Sequence, residues 1–391
     1  MKTINRIGLI APFFPPEVGG ACFYCFHLAR ELGEMGLDVH VFAPAGAQAD
    51  PAYTLHPILT RHLATDFELL EAFTMDVWHS LYFFYAPLAL HKRNVFVTGH
   101  GDDFFSYQLR LKMPLRRWVE RHVSWRLPAS TQASVRARME PWELAYNRRF
   151  FGRAIDAAAQ VIAVSSFSKA RFCESFPRAF GKTTVIPPGV KDDFFVPRLT
   201  PLGRRRLLTV TRLDEADRIK NVHGVVQALG TLAGEFDFEY EIVSGSQHGR
   251  YREEIEELIA LHSLQDRVRL LGRRPLPELI DLYRSADLFI LVSYAQPDNF
   301  EGFGIVFLEA NASGTPVLTS REGGMADYVR EGGNGLYVDD PSAEAIARAL
   351  RRFLSGDVRF SAEDIRRYPE PYRWTSIAHR VFAVYEQHAG V

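Results

Sequence analysis

Short apolar runs alternate with longer amphipathic stretches along the whole chain. An apolar run at residues 6–11 leads through a proline-rich loop to Gly19 and Gly20, then to an amphipathic stretch at 21–35 and a second apolar run at 38–43. Strand, glycine loop, helix and strand in this order predict a βαβ unit with parallel strands. Ligands bind beyond the carboxyl ends of such strands, where Gly19 and Gly20 lie. The alternative, a glycine pair that only makes a turn, stays open.

The same alternation continues to the end of the chain and predicts two doubly wound α/β domains. Further strands are predicted at residues 77–81, 94–98, 159–164, 182–189, 207–211, 239–244, 268–271, 287–292, 315–320 and 334–338. Further helices are predicted at residues 251–262, 277–286, 305–312, 342–354 and 373–388. A stretch rich in proline and charge at 191–203 predicts a linker. We therefore expect one domain at 1–195 and a second at 204–370, facing each other across a cleft.

The composition is that of an ordinary globular protein. Apolar residues make up 47% of the 391 residues and charged residues 24%, and the net charge of -1 gives no overall attraction to nucleic acid or membrane. No apolar run reaches the 18 or so residues that a spanning helix needs. The N-terminal apolar stretch is too short and too rich in proline for a signal peptide. We therefore expect a cytoplasmic protein with no nucleic-acid partner.

The cysteines offer one candidate for redox chemistry. Three cysteines in a chain of this length argue against a disulfide framework. Cys22 and Cys25 form a C-x-x-C pair at the start of a predicted helix, where redox-active pairs are found. The aromatic residues around the pair favour the alternative, in which both thiols are packed as small apolar groups.

Residues 299–314 combine a glycine-rich loop with the start of an apolar helix. Gly302 and Gly304 leave the backbone bare where the helix would begin, and the unpaired amides of a helix N-terminus bind phosphate. Glu301 precedes this site and Glu309 lies inside the helix, about 2.2 turns later. Two carboxylates would repel a bare phosphate, but they would accept hydrogen bonds from hydroxyl groups on either side of it. The stretch therefore predicts a nucleotide-sugar site.

Two other loops carry candidate side chains after predicted strands. Arg212 and Lys220 bracket a loop and could clamp a diphosphate, Arg with a planar fork and Lys with a point charge. His100 and Asp103 lie on a glycine loop, where they are placed for chemistry. The alternatives are surface charge for the first loop and, for the second, a polar loop whose aspartate caps the next helix.

The stretch E-G-F-G-I-V-F-L-E-A-x-A-x-G-x-P-V, which begins at Glu301, resembles the E-x7-E signature of the retaining glycosyltransferases of family 4, which have the two-domain GT-B fold. The resemblance extends over nearly the whole chain. It places the donor in the second domain, with Arg212 and Lys220 on the diphosphate, the backbone of Gly304, Ile305 and Val306 on the same phosphates, Glu309 on the ribose, Glu301 on the sugar, and the turn at Arg274 beside the base.

In the first domain, the resemblance places Gly19 and Gly20 near the donor diphosphate and the acceptor, His100 beside the reacting sugar, and Asp103 toward the acceptor. It also folds a C-terminal helix at about 373–391 back on this domain. The chain departs from the family at two points. The spacing between Arg212 and Lys220 is three residues longer than in the R-L-x-x-x-K pattern, which leaves Arg218 as an alternative to Lys220, and Asp327 stands where the family has Glu.

These observations predict a transferase that moves a sugar from a UDP- or GDP-linked donor to a hydroxyl of a glycan or a lipid-linked acceptor, in glycan, polysaccharide or glycolipid biosynthesis. The resemblance implies retention. The chain has no D-x-D in a suitable context and its cations already supply positive charge, so we expect no metal and no cofactor. A phosphorylase or an epimerase of nucleotide sugars, and a binding module without catalysis, remain alternatives.

Residues 104–153 are strongly basic. Eleven arginines and lysines there face three glutamates, and Trp118, Trp125, Trp142 and Tyr146 are interleaved with them. Basic helices with aromatic faces bind anionic membranes or anionic acceptors. A solvated helical face is the alternative. A peripheral contact with anionic membrane is therefore one of two predictions for this segment.

Overall fold

The computed structural model describes residues 4–101, 103–108, 129–199 and 203–390. The chain divides into two compact units. Unit 1 comprises Met1–Ile186 together with Ala378–Val391, and unit 2 comprises Pro187–Ile377.

Unit 1 is built on a parallel sheet with the strand order β3-β2-β1-β4-β5-β6-β7 within the described residues. Its strands are β1 Arg6–Ile10, β2 Asp38–Pro44, β3 Thr54–Leu59, β4 Val77–Ser80, β5 Val95–Gly99, β6 Gln160–Ala163 and β7 Thr183–Val185. Its helices are α1 Gly20–Glu34, α2 Leu63–Glu71, α3 Asp103–Gln108, α4 Ala129–Ala157 and α5 Ser166–Ser175, with 3-10 turns at Phe83–Leu90 and Pro177–Lys182. Strands β4, β5 and β6 are buried along their whole length, as expected for a parallel sheet covered on both faces.

Unit 2 repeats this architecture with the strand order β10-β9-β8-β11-β12-β13. Its strands are β8 Arg205–Thr211, β9 Phe238–Ser244, β10 Val268–Leu270, β11 Leu288–Ile290, β12 Val317–Thr319 and β13 Gly335–Tyr337. Its helices are α6 Val222–Leu232, α7 Arg250–Leu261, α8 Leu276–Ser285, α9 Ile305–Ala312, α10 Ala343–Leu354 and α11 Ala362–Ile365, and α12 Trp374–His388 continues into unit 1.

Helix α10 illustrates how the apolar pattern builds the core of unit 2. Ile346, Leu350 and Phe353 recur at helical spacing and are buried in one cluster with residues of α6 and of the sheet. Each such side chain contributes about 1.5–3 kcal/mol when it is removed from water.

In each sheet the order in which successive strands are added reverses at one point. In unit 1 this point lies between β1 and β4, and in unit 2 it lies between β8 and β11. The loops that follow these strands diverge and leave a crevice at the carboxyl edge, which is where open α/β sheets bind ligands. The loop with Gly19 follows β1, the loop with Arg212 and Lys220 follows β8, and the loop with Glu301 follows β11.

The described part of the predicted linker packs on unit 2. Phe194 is buried, its carbonyl oxygen accepts a hydrogen bond from Ser313, and Arg198 pairs with Asp287 at 2.8 Å. The division between the units therefore precedes the predicted linker, at Pro187. The aromatic side chain of Phe194, inside a stretch otherwise rich in proline and charge, accounts for the difference.

The far end of α12 belongs to unit 1. The Tyr385 hydroxyl lies 2.6 Å from Nδ1 of the buried His79, and the Tyr385 ring packs on Phe96. Across the described ranges, no helix combines the length and the apolar character that crossing a membrane requires.

Candidate functional site

Arg212 and Lys220 lie side by side at the carboxyl end of β8 because both contact the carboxylate of Asp217. Nη2 of Arg212 is 2.8 Å and Nζ of Lys220 is 3.3 Å from the same oxygen, Oδ1. A 3-10 helix at Glu215–Lys220, capped by the Asp214 side chain, spans the long interval between the two cations. The extra residues of this loop therefore bring Lys220 back to Arg212.

Arg218 points to a different partner. Its guanidinium forms two hydrogen bonds with Glu254, at 2.6 and 2.5 Å, and lies over the ring of Tyr251. The structure therefore places Lys220, and not Arg218, beside Arg212.

Gly304 begins helix α9 in a conformation that suits only glycine. Its φ is +84°, and a Cβ at this position would lie 2.5 Å from two ring carbons of Phe307. The Gly304 amide faces the Glu301 carboxylate closely enough to lower its pKa. The next two amides, of Ile305 and Val306, donate to no atom of the described residues. Two free amides at a helix N-terminus form a seat for an anion.

The loop of Glu301 is joined to the loops on either side of it. The Asn299 side chain donates to the Ala216 carbonyl at 3.0 Å, and the Tyr294 amide donates to the Ile219 carbonyl at 2.9 Å. The Gly324 amide donates to the Glu301 carbonyl at 2.9 Å. The cation pair, the free amides and Glu301 therefore share one edge of the sheet.

The Glu301 carboxyl group lies within the electrostatic reach of both cations. Burial raises its pKa and the charge of Asp217 raises it further, whereas Lys220, Arg212 and the Gly304 amide lower it. The net effect is a pKa above the ordinary value for a glutamate. Such a carboxyl group accepts hydrogen bonds from sugar hydroxyls when it is ionised and can donate one when it is protonated.

Glu309 lies further along α9 and is held by Tyr283. The Tyr283 hydroxyl donates to Oε2 at 2.8 Å, and Oε1 accepts no hydrogen bond from the described residues. Burial raises the pKa of Glu309 to about 7, although the Tyr283 hydrogen bond and the charge of Lys191 act in the opposite direction. Oε1 is thus available to a hydroxyl group.

Arg274 lies further from the cation pair. It follows β10, which is two strands away from β8 and thus roughly 10 Å across the sheet. Its guanidinium is 3.7 Å from the Glu278 carboxylate. Gly272, two residues earlier in the same turn, has a φ of +67°. The structure therefore brings Arg212, Lys220, Glu301 and the α9 amides together, with Arg274 to one side.

His100 occupies the loop after β5 in unit 1. Its Nε2 is 2.8 Å from the Leu81 carbonyl oxygen, and the rings of Tyr24 and Tyr82 pack on it. A carbonyl only accepts, so Nε2 carries the proton and Nδ1 is the acceptor of the neutral ring. Burial lowers the pKa of His100 to about 4. The ring is therefore neutral near pH 7 and can accept a hydrogen bond from a hydroxyl.

Asp103 holds the His100 loop in place. Its Oδ1 accepts from the His100 amide at 3.1 Å and its Oδ2 from the Phe83 amide at 3.3 Å, and the residue is 8% exposed. These contacts agree with the polar-loop alternative. A role of Asp103 toward an acceptor stays a prediction.

Gly19 and Gly20 form the start of α1. A Cβ on Gly19 would have only one neighbouring atom, the Cys22 sulfur at 3.8 Å, so the described residues leave open space there. This space would allow the backbone to approach a ligand, and the turn-only alternative also remains.

The structure favours packing over redox chemistry for the C-x-x-C pair. Cys22 and Cys25 are both buried and free. Burial raises the pKa of Cys22 to about 11, and it also raises the pKa of Cys25. Redox-active cysteines need a lowered pKa, so these thiols act as apolar packing groups.

The basic segment is described only in part. Arg110, Lys112, Arg116, Arg117, Trp118, Glu120, Arg121, Trp125 and Arg126 lie outside the described residues. Helix α4 carries an exposed stripe at helical spacing, formed by Arg138, Trp142, Tyr146, Arg149 and Arg153. The Trp142 side chain is 73% exposed, whereas Asn147 and Phe151, on the opposite face of α4, are buried.

Two residues of the site escaped the sequence analysis, Asp217 and Tyr283. Asp217 lies between the two cations in the sequence, but Asp214 and Glu215 lie there too, so the sequence does not single it out. Tyr283 is 26 residues from Glu309, and nothing in the sequence pairs them. Among the described residues, no group of three or more metal-ligating side chains is arranged to hold an ion. Metal independence stays a prediction.

Two family models together match nearly the whole chain. The model described as Glycosyltransferase Family 4 matches residues 18–194, and the model described as Glycosyl transferases group 1 matches residues 190–369. The chain is 32% identical to the D-inositol 3-phosphate glycosyltransferase of an Arthrobacter species, over 90% of this chain and 87% of that protein. It is 26% identical to the MMP alpha-(1->4)-mannosyltransferase of Mycolicibacterium hassiacum, over 98% of both.

Solved structures have the same fold. Sucrose-phosphate synthase of Thermosynechococcus elongatus is similar with a TM-score of 0.74, at 23% identity over 98% of both chains. HepE of Anabaena, in complex with UDP and glucose, is similar with a TM-score of 0.67, at 16% identity over 98% of this chain and 99% of that one. The predicted fold class, two Rossmann-like α/β domains of the GT-B type, is confirmed.

Proposed function

The chain belongs to the glycosyltransferases of the family 4 and group 1 type, and we propose that it transfers a sugar, with retention, from a UDP- or GDP-linked donor to a hydroxyl of a glycan or a lipid-linked acceptor. Glycosyl transfer is the activity that the names of its relatives share. The observation that carries the proposal is the edge of the unit 2 sheet, where two cations, two free amides and Glu301 lie together, with Glu309 further along α9.

The donor occupies this edge in the proposal. Arg212 and Lys220 bind the diphosphate together with the Ile305 and Val306 amides. Glu309 accepts a ribose hydroxyl through Oε1, and Glu301 holds hydroxyls of the sugar. The turn at Arg274 faces the base, and the UDP of the HepE complex supports a uridine donor among the candidates.

The proposed mechanism depends on the negative charge that develops on the leaving diphosphate. As the glycosidic bond breaks, negative charge grows on the leaving diphosphate, and preorganised cations and amides stabilise charge that is created in the transition state. His100 would accept a hydrogen bond from a hydroxyl at Nδ1, and its lowered pKa excludes it as an acid near pH 7. Retention is carried over from the family resemblance, with front-face attack and the departing phosphate taking the acceptor proton.

A thermal-shift screen of nucleotide sugars tests the donor half. A ligand that binds only the folded state raises the melting temperature by mass action. We expect one of UDP-glucose, UDP-N-acetylglucosamine or GDP-mannose to stabilise the wild type and not the Arg212→Ala/Lys220→Ala variant, whereas stabilisation by ADP-glucose alone would contradict a UDP- or GDP-linked donor. If no member of the panel stabilises the wild type, the donor site as proposed is wrong.

A product assay with the selected donor tests the transfer itself. Free nucleotide together with a glycosylated acceptor is the expected result, and an anomeric NMR signal of the product reports retention. Release of sugar phosphate, or interconversion of the donor sugar, would instead indicate the phosphorylase or epimerase alternatives. Binding without turnover over a broad acceptor panel would indicate a binding module.

The cations make a catalytic metal unnecessary in this proposal. We expect the turnover rate in excess EDTA to equal that in buffer alone. Loss of activity in EDTA that is restored by Mn²⁺ or Mg²⁺ would reverse this part of the proposal.

The exposed stripe of α4 is proposed as a peripheral contact with anionic membrane. Arg138, Arg149 and Arg153 form no ion pair with another described residue, and Trp142 and Tyr146 lie exposed between them. Aromatic rings at the level of the head groups and arginines near anionic lipid are the two attractions that such a helix uses.

Vesicle flotation tests this contact. We expect the wild type to float with vesicles that contain phosphatidylglycerol and not with pure phosphatidylcholine, and Arg149→Glu/Arg153→Glu to remain at the bottom of the gradient. The matched control, Arg348→Glu/Arg352→Glu, changes two exposed arginines at the same spacing on α10 of unit 2. Binding that is indifferent to lipid charge would favour the solvated-face alternative.

A further inference from the structure

Asp217 is a buried carboxylate with a partner on every side. It is 2% exposed, and Oδ1 contacts Arg212 Nη2 and Lys220 Nζ at 2.8 and 3.3 Å. Oδ2 accepts from the Thr211 hydroxyl at 2.6 Å and from the backbone amide of Arg212 at 2.7 Å.

We propose that Asp217 is a positioning residue that aims Arg212 and Lys220 together at the diphosphate of the donor. This inference rests on the proposed function, because it concerns the same two cations.

The two carboxylate oxygens of Asp217 have different partners, and this difference supports the proposal. Oδ2 is fixed by the Thr211 hydroxyl and by two backbone amides, of Arg212 and Leu213. The orientation of the carboxylate is therefore set by the loop itself. Oδ1 is left to face both side-chain cations. The Arg212 side chain is 56% exposed and would otherwise sample many rotamers. One fixed anion thus determines where two mobile cations point.

Like charges at short range repel, and a shared counterion removes this repulsion before any ligand arrives. Without Asp217, the two cations would separate until a diphosphate drew them together, and the ligand would then bear the cost of ordering them. With Asp217, the site is preorganised for the charge that develops on the leaving group. Asp217 touches no donor atom in this account and acts only through its neighbours.

A comparison within unit 2 distinguishes this arrangement from ordinary ion pairing. Glu241 is also buried and also pairs with two arginines, Arg206 and Arg269, at 3.2 and 2.8 Å. All three residues lie within strands β8, β9 and β10, whereas Arg212 and Lys220 lie beyond the carboxyl end of β8 at the point where the chain reverses across the sheet. Glu241 therefore provides a matched control for the removal of a buried charge.

The test measures the binding of UDP, GDP and ADP, and of the matching monophosphate, by titration calorimetry with the full chain. The nucleoside diphosphate that binds the wild type most tightly serves as the probe. We expect Asp217→Asn to weaken diphosphate binding at least fivefold and monophosphate binding less than twofold, since the cations contact the second phosphate. Glu241→Gln should leave both affinities within twofold. If no diphosphate binds the wild type, the proposed function fails and this inference fails with it, whereas a diphosphate that binds the wild type and Asp217→Asn equally overturns the inference alone.

A double-mutant cycle separates positioning from a direct role. In the Arg212→Ala/Lys220→Ala background, Asp217→Asn should change diphosphate affinity less than twofold, because the groups through which it acts are gone. An undiminished effect in that background, or wild-type affinity in a folded Asp217→Asn variant, would overturn the inference.

A second pair of variants applies if Asp217→Asn does not fold. Thr211→Val removes one hydrogen bond to Oδ2 and leaves the charge, and Thr211→Ser restores the hydroxyl. We expect Thr211→Val to weaken diphosphate binding about threefold and Thr211→Ser to match the wild type. Equal affinities for the two variants would overturn the inference.

Discussion

Gly304 is the single residue on which the phosphate seat depends most directly. It adopts a φ of +84°, and its missing side chain leaves room for the Phe307 ring. A non-glycine residue in this conformation costs roughly 1–2 kcal/mol. A Cβ would also displace Phe307 or turn the Glu301 loop away from α9.

We therefore expect Gly304→Ala to lower nucleotide-sugar affinity at least tenfold, as well as the melting temperature. Gly356→Ala is the matched control, because Gly356 has nearly the same φ, +83°, and a Cβ there would meet only the tip of Arg359, at 4.0 Å. Calorimetric titration and thermal melting of both variants check this. Equal losses of affinity would mean that backbone strain alone accounts for the effect.

Glu309 gives the site a pH dependence near neutrality. Its pKa of about 7 means that the carboxylate predominates above that pH and the neutral acid below it. A carboxylate is the stronger acceptor for a ribose hydroxyl. Nucleotide-sugar affinity should therefore rise as the pH increases through about 7 in the wild type and stay flat in Glu309→Gln.

Removing the Tyr283 hydroxyl tests the cause of this shift. That hydroxyl lowers the pKa of Glu309, so Tyr283→Phe should move the midpoint of the affinity profile to higher pH. Tyr337→Phe is the control, since its hydroxyl donates to the Val329 carbonyl, away from Glu309. A nucleotide sugar is the right probe, because its diphosphate has no terminal monoester that titrates near pH 6. An unmoved midpoint in Tyr283→Phe would remove Glu309 as the titrating group.

Among the elements, helix α9 was the most predictable from sequence and the strand β3 the least. The predicted helix at 305–312 matches Ile305–Ala312, because Gly304 ends the loop and the apolar run follows at once. Strand β3 at Thr54–Leu59 and helix α2 at Leu63–Glu71 were not predicted. Strand β3 contains His56 and Pro57, and it tolerates the proline because it lies at the edge of its sheet.

The site was predictable as a set of loops, but not as a set of contacts. The alternation of strands and helices places Arg212, Lys220 and Glu301 after strands, and parallel strands bring such loops to one edge. Which side chains pair is decided by long-range packing that a pattern does not encode. The contact of Tyr283 with Glu309, 26 residues away, is of this kind. Asp217 instead contacts residues three and five positions away, and the local 3-10 helix decides that pairing.

The 3-10 helix at Glu215–Lys220 yields a prediction at the scale of the element. It turns Lys220 toward Asp217 and Arg218 toward Glu254, although the two cations are only two residues apart. Lys220→Ala should cost at least about 1.5 kcal/mol in donor binding, the value of a hydrogen bond to a charged group. Arg218→Ala should leave donor affinity within about twofold, because Arg218 pairs with Glu254 and not with the site. Titration of the two variants with the same nucleotide sugar checks this, and a larger effect of Arg218→Ala would reverse the assignment.

On the scale of the whole molecule, the two units differ in how the chain builds them. Unit 2 is one continuous segment, Pro187–Ile377, with a buried core drawn from its own strands and helices. Unit 1 needs the end of the chain, since Ala378, Val381 and Tyr385 of α12 are fully buried. Tyr385 also supplies a hydrogen-bond partner to Nδ1 of His79.

The buried His79 makes unit 1 sensitive to acid. Burial lowers its pKa to about 3, and its ring nitrogens contact Tyr385 and Thr98 at 2.6 and 2.7 Å. A histidine whose pKa is lower in the folded than in the unfolded state stabilises the fold above its unfolded pKa, about 6.5. That contribution is lost as the pH falls from about 6.5 toward about 3.

Separate expression of the two parts tests this construction. We expect the fragment 187–377 to fold and to bind a nucleoside diphosphate within about tenfold of the full chain, because Arg212, Lys220 and the α9 amides all lie in it. The fragment 1–186 should not fold alone, since it loses buried side chains worth about 3–5 kcal/mol for each large aromatic, and a synthetic peptide of residues 374–390 should restore its structure. Circular dichroism and calorimetry of the three samples check this. A folded 1–186 would show that α12 is dispensable, whereas a folded 187–377 without diphosphate affinity would show that groups of unit 1 are required for the donor.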